Sequence, residues 1–301
     1  MTETTSAVPP ARRARRPGGR ALALVAAAAV VLAACGSSDG SDGVSANGDA
    51  TTTVASGDTT TTTEAAAAPL EILVSNDDGY EAEGIDVLVE ALRNVDGAEV
   101  TVVAPLSQQS GQGGKTTEGE LKVTDVTLAS GYPAKAVDGY PADTIRVAVD
   151  ELGIEPDVVI TGINSGQNLG PLVDLSGTVG AARAAVARGI PALATSQGVG
   201  DTFDYPSAVP FILDWLDTHR ADLAAGKATA TVWNLNVPSC KTGTKVRGLA
   251  EVPADLDGDT GQALAAQDCA STTPLDDLDG DVAAFVAGYA TFDEVPAKPA
   301  S

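Results

Sequence analysis

The stretch Leu70–Gly79 (LEILVSNDDG) decides the fold, because it joins a short apolar run to a polar turn. The apolar part, Leu70–Val74, has the length and composition of a buried β-strand. The part that follows, Ser75–Gly79, consists of residues that favour turns. Two adjacent carboxylates, those of Asp77 and Asp78, therefore stand directly after a predicted central strand.

Strands and helices alternate on the C-terminal side of this stretch. Strands are predicted for residues 99–104, 157–161, 190–195 and 230–237, with 121–128 as a weaker candidate, and helices for 84–93, 142–152, 176–188 and 206–224. Strands that alternate with helices of about 10–15 residues favour an α/β fold, a mostly parallel sheet with helices on both faces. Beyond Gly248 the pattern weakens, and the acidic residues 253–281 predict a short irregular C-terminal extension.

Polar residues follow three of the predicted strands. They are Asp77 with Asp78, the segment Ser107–Ser110, and Asn164. Ligands of open parallel sheets bind at the carboxyl ends of the strands, so these residues should meet at one edge. A divalent cation would keep two adjacent carboxylates ionised, and Mg²⁺ or Mn²⁺ prefers such oxygen ligands. The simpler alternative is that the Asp-Asp-Gly sequence is only a turn.

Three further features carry chemical information. Residues 176–178 (SGT) open an Ala-rich helix, whose free N–H groups suit a phosphate, although a plain serine N-cap is the alternative. Residues 113–116 (GGKT) look like the tail of a phosphate-binding P-loop, but Gln109 stands where that motif needs glycine, so a flexible loop is predicted. The single histidine, His219, is interpreted as a structural residue of a helix.

Composition excludes several classes of function. The chain has 301 residues, with 41 acidic and 18 basic side chains and a net charge of −23. Nucleic-acid polymers are bound by basic surfaces, so they are not expected as partners. One histidine argues against Ser-His-Asp catalysis and against His-rich zinc sites. From Pro69 onward the chain has 35 acidic and 13 basic residues, a net charge of −22, so a small anionic substrate would need a bound cation.

The N-terminal third is predicted to be a targeting region. Residues 1–34 combine a basic segment with an apolar run of about 14 residues at 21–34, which is the pattern of a signal peptide and too short for a membrane span. The run ends in LAACG, which resembles a bacterial lipobox with Cys35 as the lipidated residue; an ordinary signal peptide with a chance cysteine is the alternative. Residues 35–68, rich in Gly, Ser and Thr, predict a disordered tether.

These assignments predict the location of the folded domain, residues 69–301. It would be exported and anchored by the lipid on Cys35 at the outer face of the cytoplasmic membrane. In such a compartment the two remaining cysteines, Cys240 and Cys269, can form a disulfide, and two free thiols are the alternative.

Taken in order, the motifs resemble the SurE family of metal-dependent 5′/3′-nucleotidases (survival protein E). The matching segments are ILVSNDDG at 72–79, GI at 84–85, VVAP at 102–105, SG at 110–111, PAD at 141–143, TGINSG at 161–166, NLG at 168–170, SGTV at 176–179, LNVP at 235–238 and GY at 288–289. The resemblance covers residues 70–240 well and 240–292 weakly.

The resemblance implies a Rossmann-like domain that hydrolyses nucleoside monophosphates with Mg²⁺ or Mn²⁺. The metal ligands it implies are Asp77, Asp78, Ser110 and Asn164, and the residues it implies for phosphate binding are Asn168, Ser176, Gly177 and Thr178. The implied mechanism is direct attack by a metal-activated water, with one of the two aspartates as an alternative proton acceptor.

Departures from the family pattern leave other readings open. Leu106–Gln109 lacks the charged residues that the family often has there, and the C-terminal part is shortened and acidic. In the family, this C-terminal part forms an arm that is used in oligomerisation into dimers or tetramers. With the arm shortened here, a homodimer is one alternative and a monomer the other. The altered loop also allows a lipoprotein that binds nucleotides or phosphate esters without turnover. A phosphatase with an aspartyl-phosphate intermediate fits poorly, because its second aspartate lies two residues after the nucleophile and here it is adjacent.

Overall fold

The structure is a computed structural model that describes residues 69–299. The predicted signal peptide (1–34) and tether (35–68), with Cys35, lie outside the described residues. Within 69–299, no helix combines the length and the apolar character needed to cross a lipid bilayer.

The described part of the chain contains nine strands and six α-helices. The strands are β1 Leu70–Ser75, β2 Ala98–Pro105, β3 Val123–Thr127, β4 Pro133–Val137, β5 Val158–Ser165, β6 Ala192–Gln197, β7 Val232–Val237, β8 Leu249–Glu251 and β9 Ala290–Val295. The helices are α1 Glu83–Leu92, α2 Pro141–Arg146, α3 Gly177–Val186, α4 Val209–Ala224, α5 Thr260–Ala263 and α6 Gly280–Val286, with 3₁₀ helices at Gly170–Asp174, Tyr205–Ser207 and Leu275–Asp277.

All nine strands form one mostly parallel sheet, in the order β3-β4-β2-β1-β5-β6-β7-β9-β8. Strand β1 pairs in parallel with β2 on one side and with β5 on the other. The chain therefore builds the sheet outward in one direction from β1 and then returns to build it in the other. The carboxyl ends of β1 and β5 flank this reversal, which is where ligands bind in doubly wound sheets.

Helices cover both faces of the sheet, as the sequence predicted. Alternate side chains of β1 point to opposite faces, as they do in any strand. Ile72 and Val74 belong to one buried apolar cluster, together with Ile85 of α1. Leu73 belongs to a second cluster, together with Val179 of α3. Both faces of β1 are thus buried, which explains why its sequence is apolar without alternation.

Three elements differ from the sequence prediction. Strand β4 was not predicted; it is short and begins at Pro133. The helix predicted for residues 142–152 is α-helical only to Arg146 and continues as one π-helical turn, Val147–Glu151. Beyond Gly248, where the sequence pattern weakens, the chain forms β8, α5, α6 and β9, and of these only α5 lies wholly within residues 253–281, which were predicted to be irregular. The last strand follows Gly288 and Tyr289, where the family resemblance places it.

A disulfide joins the C-terminal extension to the sheet. Cys240, in the loop after β7, is bonded to Cys269, in the segment before α6, with their Cα atoms 5.6 Å apart. The pairing that the sequence left open is therefore formed. It fixes the residues near Cys269 beside the carboxyl end of β7.

Candidate active site

The turn after β1 is built by its own side chains. Asn76 donates from Nδ2 to the carbonyl oxygen of Gly79 at 2.8 Å and accepts the Gly79 N–H at 3.2 Å. Gly79 has a φ of +96°, which glycine adopts readily and other residues rarely do. The turn is therefore specified locally, and it places Asp77 and Asp78 at the edge of the sheet beside β5.

Asp77 lies directly against the first turn of α3. The hydroxyl of Thr178 donates to Oδ1 of Asp77 at 2.6 Å. A Cβ atom added to Gly177 would stand 2.7 Å from Cβ of Asp77, so only glycine permits this approach. Ser176 is the N-cap of α3, since its Oγ accepts the N–H of Val179 at 3.1 Å. The sequence SGT thus forms both a helix cap and a cradle for a carboxylate.

Burial is the largest influence on the pKa of the Asp77 carboxyl group. The side chain is 2% exposed, and its burial raises the pKa to about 6, while the hydroxyl of Thr178 opposes that rise and the charge of Asp78 adds to it. A carboxylate in this position gains from a nearby positive charge, because such a charge offsets the desolvation of its ionised form.

Asp78 is held by the backbone of β5. The N–H of Ser165 donates to Oδ2 of Asp78 at 2.9 Å. The hydroxyl of Ser165 in turn lies 2.7 Å from the hydroxyl of Tyr205. Sequence reasoning did not identify Ser165, because its backbone contact leaves no signal in residue type. It did not identify Tyr205 either, since this residue is 40 positions from Ser165 in the sequence.

Asn164 presents a candidate ligand atom for a cation. It lies on β5 just after an irregularity in the pairing of β5 with β6, which lets the strand re-aim this side chain. Its Nδ2 donates to the carbonyl oxygen of Gly166 at 2.6 Å, which leaves Oδ1 as the atom that can bind a ligand. Among the described residues that oxygen is buried and has no hydrogen-bond partner. An amide oxygen in this state fits a hard cation.

Ser110 lies in the long loop after β2, which crosses the same edge of the sheet. The N–H of Gln109 donates to the carbonyl oxygen of Asp77 at 2.6 Å. Ser110 itself is exposed, and its Oγ accepts from Nε2 of Gln108 at 2.8 Å. Further along, the N–H of Gly113 donates to the carbonyl oxygen of Leu175 at 3.0 Å, which holds the loop across the start of α3.

Asn168 is engaged in holding the neighbouring strands. Its Nδ2 donates to Oγ of Ser196 at 2.9 Å, and its N–H donates to Oδ1 of Asn236 at 2.7 Å. In this arrangement Asn168 ties the segment after β5 to β6 and β7. Its role in phosphate binding stays a prediction.

The remaining sequence features are structural. His219 lies on α4, where its Nδ1 is 2.7 Å from the carbonyl oxygen of Trp215 and its ring stacks on that of Trp215 at 4.7 Å. Residues 113–116 form no P-loop, since no helix follows them. A surface cavity of about 500 Å³ lies in the C-terminal extension and is lined by residues of α6, such as Val282 and Val286, but by no candidate site residue.

Asp77, Asp78 and Asn164 lie at the carboxyl edge of β1 and β5, with Asp77 against the start of α3. Two carboxylates and one unpartnered amide oxygen are ligands of the type that Mg²⁺ or Mn²⁺ binds, whereas the hydroxyl of Ser110 is bonded to Gln108. Within residues 69–299, no cluster of three or more His, Cys, Asp or Glu side chains is arranged for metal binding. The first turn of α3, beside Asp77, is oriented to receive an anion.

Comparison with known proteins identifies the family of this chain. The sequence model of the family described as "Survival protein SurE" matches residues 72–253. A protein of Brevibacillus brevis named 5′-nucleotidase SurE is 39% identical over 194 residues, which are 62% of this chain and 72% of that protein. Proteins of the same name from Synechococcus and Methanopyrus kandleri are 40% and 44% identical, over 57% and 56% of this chain and 62% and 66% of their own lengths.

The alignments thus span about two thirds of these relatives. Among solved structures, the SurE protein from Aquifex aeolicus superimposes with a TM-score of 0.58 at 24% identity, covering 76% of this chain and 94% of that one, and shows that the fold is shared. The family match extends over more than half of the chain and contains every residue of the candidate site. On this ground the chain belongs to the SurE family.

Proposed function

We propose that this protein is a 5′-nucleotidase, a phosphomonoesterase that converts nucleoside monophosphates into nucleoside and phosphate with the help of a divalent cation. The observation that carries the proposal is the position of Asp77, Asp78 and the unpartnered oxygen of Asn164. All three lie at the carboxyl ends of β1 and β5, where the strand order reverses, beside the start of α3. The names of the relatives support the same activity. We propose that nucleoside 3′-monophosphates are hydrolysed at the same site.

The cation-binding residues in this proposal are Asp77, Asp78, Asn164 and Ser110. Mg²⁺ or Mn²⁺ held there would supply positive charge to the phosphoryl oxygens and would make a bound water more acidic. Thr178 and the backbone of Ser165 fix the two carboxylates in place, so little rearrangement is needed when substrate arrives.

The start of α3 and the turn after β1 provide the residues for hydrolysis. The N-terminal N–H groups of α3 bind the phosphate, with Ser176 capping the helix. Water attacks phosphorus and the ester P–O bond breaks. Asp77 or Asp78 accepts a proton from the water, and the leaving ester oxygen takes up a proton from solvent, which releases the nucleoside. His219 cannot serve as the base, because it is packed against Trp215 on α4.

A phosphate-release assay over nucleotides and metals tests the proposal. The full chain should hydrolyse AMP or GMP with Mg²⁺ or Mn²⁺ and stop when EDTA removes the cation. Asp77→Asn should lower kcat by at least about 100-fold, whereas Asp217→Asn, an exposed carboxylate on α4, should not. An active Asp77→Asn protein would contradict the mechanism. Tight nucleotide binding without turnover, whichever divalent cation is present, would favour the non-hydrolysing lipoprotein.

We also propose that the enzyme works outside the cytoplasmic membrane, anchored through Cys35. The basic segment, apolar run and cysteine at residues 12–35 support this, and so does the disulfide between Cys240 and Cys269, since disulfides persist in oxidising compartments. Cells fed a labelled fatty acid should label the wild type and not Cys35→Ala, which should leave the membrane fraction. Equal labelling of both would refute the anchor.

Light scattering of the purified chain decides between a monomer and a homodimer.

A further inference from the structure

Large apolar side chains are exposed around the candidate active site. Seven large apolar side chains are exposed among the described residues, and five of them lie in segments that adjoin the site: Leu106, Leu175, Val199, Phe203 and Leu264. Leu175 directly precedes the N-cap of α3, and Val199 stands next to Gly166, where an added Cβ would meet it at 3.6 Å. An exposed apolar rim beside a polar centre is typical of a site whose ligand has both characters.

Phe203 is the aromatic member of this rim, and a short series of contacts connects it to the catalytic carboxylates. Its ring stacks on that of Tyr205, with the centroids 5.5 Å apart and the planes at 16°. Tyr205 is buried and lies 2.7 Å from the hydroxyl of Ser165, whose N–H is bonded to Asp78. Tyr205 therefore supports one side of the Phe203 ring, while 36% of the Phe203 residue remains exposed to solvent.

The loop that carries Phe203, residues 198–204, is fixed at several points. The N–H of Val199 donates to Oε1 of Gln167 at 3.0 Å, and its carbonyl oxygen accepts from Nε2 of Gln267 at 2.5 Å. The hydroxyl of Ser239 donates to the carbonyl oxygen of Gly198 at 2.6 Å. Ser239 and Gln267 lie beside the two cysteines of the disulfide. The loop is therefore prepared for binding before a ligand arrives, which lowers the cost of binding.

The charge of this loop indicates which part of a nucleotide it can receive. Its only charged residues are Asp201 and Asp204, so it offers no cation to a phosphate. The phosphate is accounted for at the start of α3. A nucleoside monophosphate extends from a charged phosphate to a flat, uncharged base, and the base is the part that suits an aromatic ring with a free face.

We propose that Phe203, supported by Tyr205 and flanked by Val199, is the surface on which the substrate's nucleobase stacks. This inference rests on the proposed nucleotidase function and names the part of the substrate that the chain recognises. Stacking uses the π-face that every base has, so the surface should accept purines and pyrimidines alike. Recognition of a base explains why the enzyme would prefer nucleotides to other phosphate monoesters.

Steady-state kinetics on the full chain separate base recognition from catalysis. Phe203→Ala should raise KM for AMP so that kcat/KM falls about tenfold. The same variant should leave hydrolysis of ribose 5-phosphate, which has no base, unchanged. Phe203→Trp should restore the wild-type value for AMP. Leu152→Ala removes an equally exposed apolar side chain away from the site and should change neither substrate.

Calorimetric binding of adenosine, which has no phosphate, gives a second measurement that does not depend on turnover. Adenosine should bind the wild type and Phe203→Trp, and should lose about tenfold in affinity on Phe203→Ala. An unchanged kcat/KM for AMP in Phe203→Ala, or an equal loss with ribose 5-phosphate, would overturn the inference while the nucleotidase function stands. Adenosine binding that depends on Phe203 without hydrolysis of AMP would support the inference and refute the enzyme.

Discussion

At the scale of single residues, the geometry of the candidate site depends on a side chain that is missing. Gly177, the first residue of α3, has ordinary backbone angles. Glycine is needed there because a Cβ atom at this position would lie only 2.7 Å from Cβ of Asp77. The bond from Thr178 to Asp77 can form only because the helix comes so close.

Gly177→Ala should therefore inactivate the enzyme without unfolding it. The new methyl group pushes Asp77 away from the phosphate site, and a displacement of about 1 Å in a catalytic group can lower the rate about 100-fold. Phosphate release from AMP with saturating Mg²⁺ measures the loss, and circular dichroism checks the fold. Gly261→Ala, where the nearest atom belongs to the flexible side chain of Asp259, serves as the matched control. Activity near the wild-type value in Gly177→Ala would show that Asp77 tolerates displacement.

Residue type alone indicated only those parts of the site that act through side chains. The two aspartates and Asn164 were predicted because carboxylate and amide oxygens after strands have a recognisable chemistry. The contact from the N–H of Ser165 to Asp78 was not, since every residue has a backbone N–H. Phe203 was missed for another reason: its loop becomes part of the site only when β6 is placed beside β5.

At the scale of elements, a single carboxylate joins α6 to the 3₁₀ helix behind the site. Asp281, in the first turn of α6, accepts the N–H of Gly170 at 2.7 Å, of Val282 at 2.8 Å and of Asp255 at 3.0 Å. It is 3% exposed. The first of these bonds holds the segment that leads from β5 to α3, so the C-terminal extension supports the catalytic edge.

Asp281→Asn should destabilise the protein by about 1–3 kcal/mol, because one amide oxygen cannot accept all three buried N–H groups. Burial also raises the pKa of Asp281 above its usual value, although the three N–H bonds oppose that rise. A raised pKa in the folded state favours folding at low pH and ceases to do so as the pH rises through it. The stability advantage of the wild type over the variant should therefore be largest near pH 4 and shrink towards neutrality.

Urea unfolding of both proteins across this pH range measures that advantage. The exposed neighbour Asp279 provides the control, because Asp279→Asn should show neither the loss nor its dependence on pH. An advantage of the wild type that grows as the pH rises would mean that the N–H bonds outweigh burial and that the pKa of Asp281 is lowered.

The central strands could be predicted from the sequence, and so could the edge strand β3, whereas β4, β8 and α6 could not. Strands β1, β2, β5 and β6 contain continuous apolar segments where both of their faces are buried. Strand β7 (VWNLNV) is also buried throughout, but Asn234 and Asn236 alternate with its apolar residues. Strand β9 (ATFDEV) runs antiparallel to β7 near the edge of the sheet and leaves part of its surface in water, so its sequence is mixed. Helix α6 has only seven residues, too few for a clear helical period.

At the scale of the whole molecule, the domain from Pro69 onward carries a net charge of −22 while its proposed substrate is an anion. Some of its few cations are already neutralised. Arg183, for example, is buried and pairs with Asp174 at 2.6 Å. Lys115 lies exposed in the loop that crosses the start of α3, and its ammonium group is bonded to Gln112 at 2.7 Å. The protein's field should therefore repel nucleotides until a divalent cation reverses the charge at the site.

Salt should consequently improve nucleotide binding in this enzyme. Raising the ionic strength from about 0.01 M to about 0.15 M shortens the Debye length from ~30 Å to ~8 Å, which screens distant carboxylates but not the ligands at the site. With Mg²⁺ kept saturating, KM for AMP should fall a few-fold while kcat stays constant. The affinity for uncharged adenosine, measured by calorimetry in the same buffers, should not change. A KM that rises with salt would instead show that a local positive charge, such as that of Lys115, dominates the encounter with substrate.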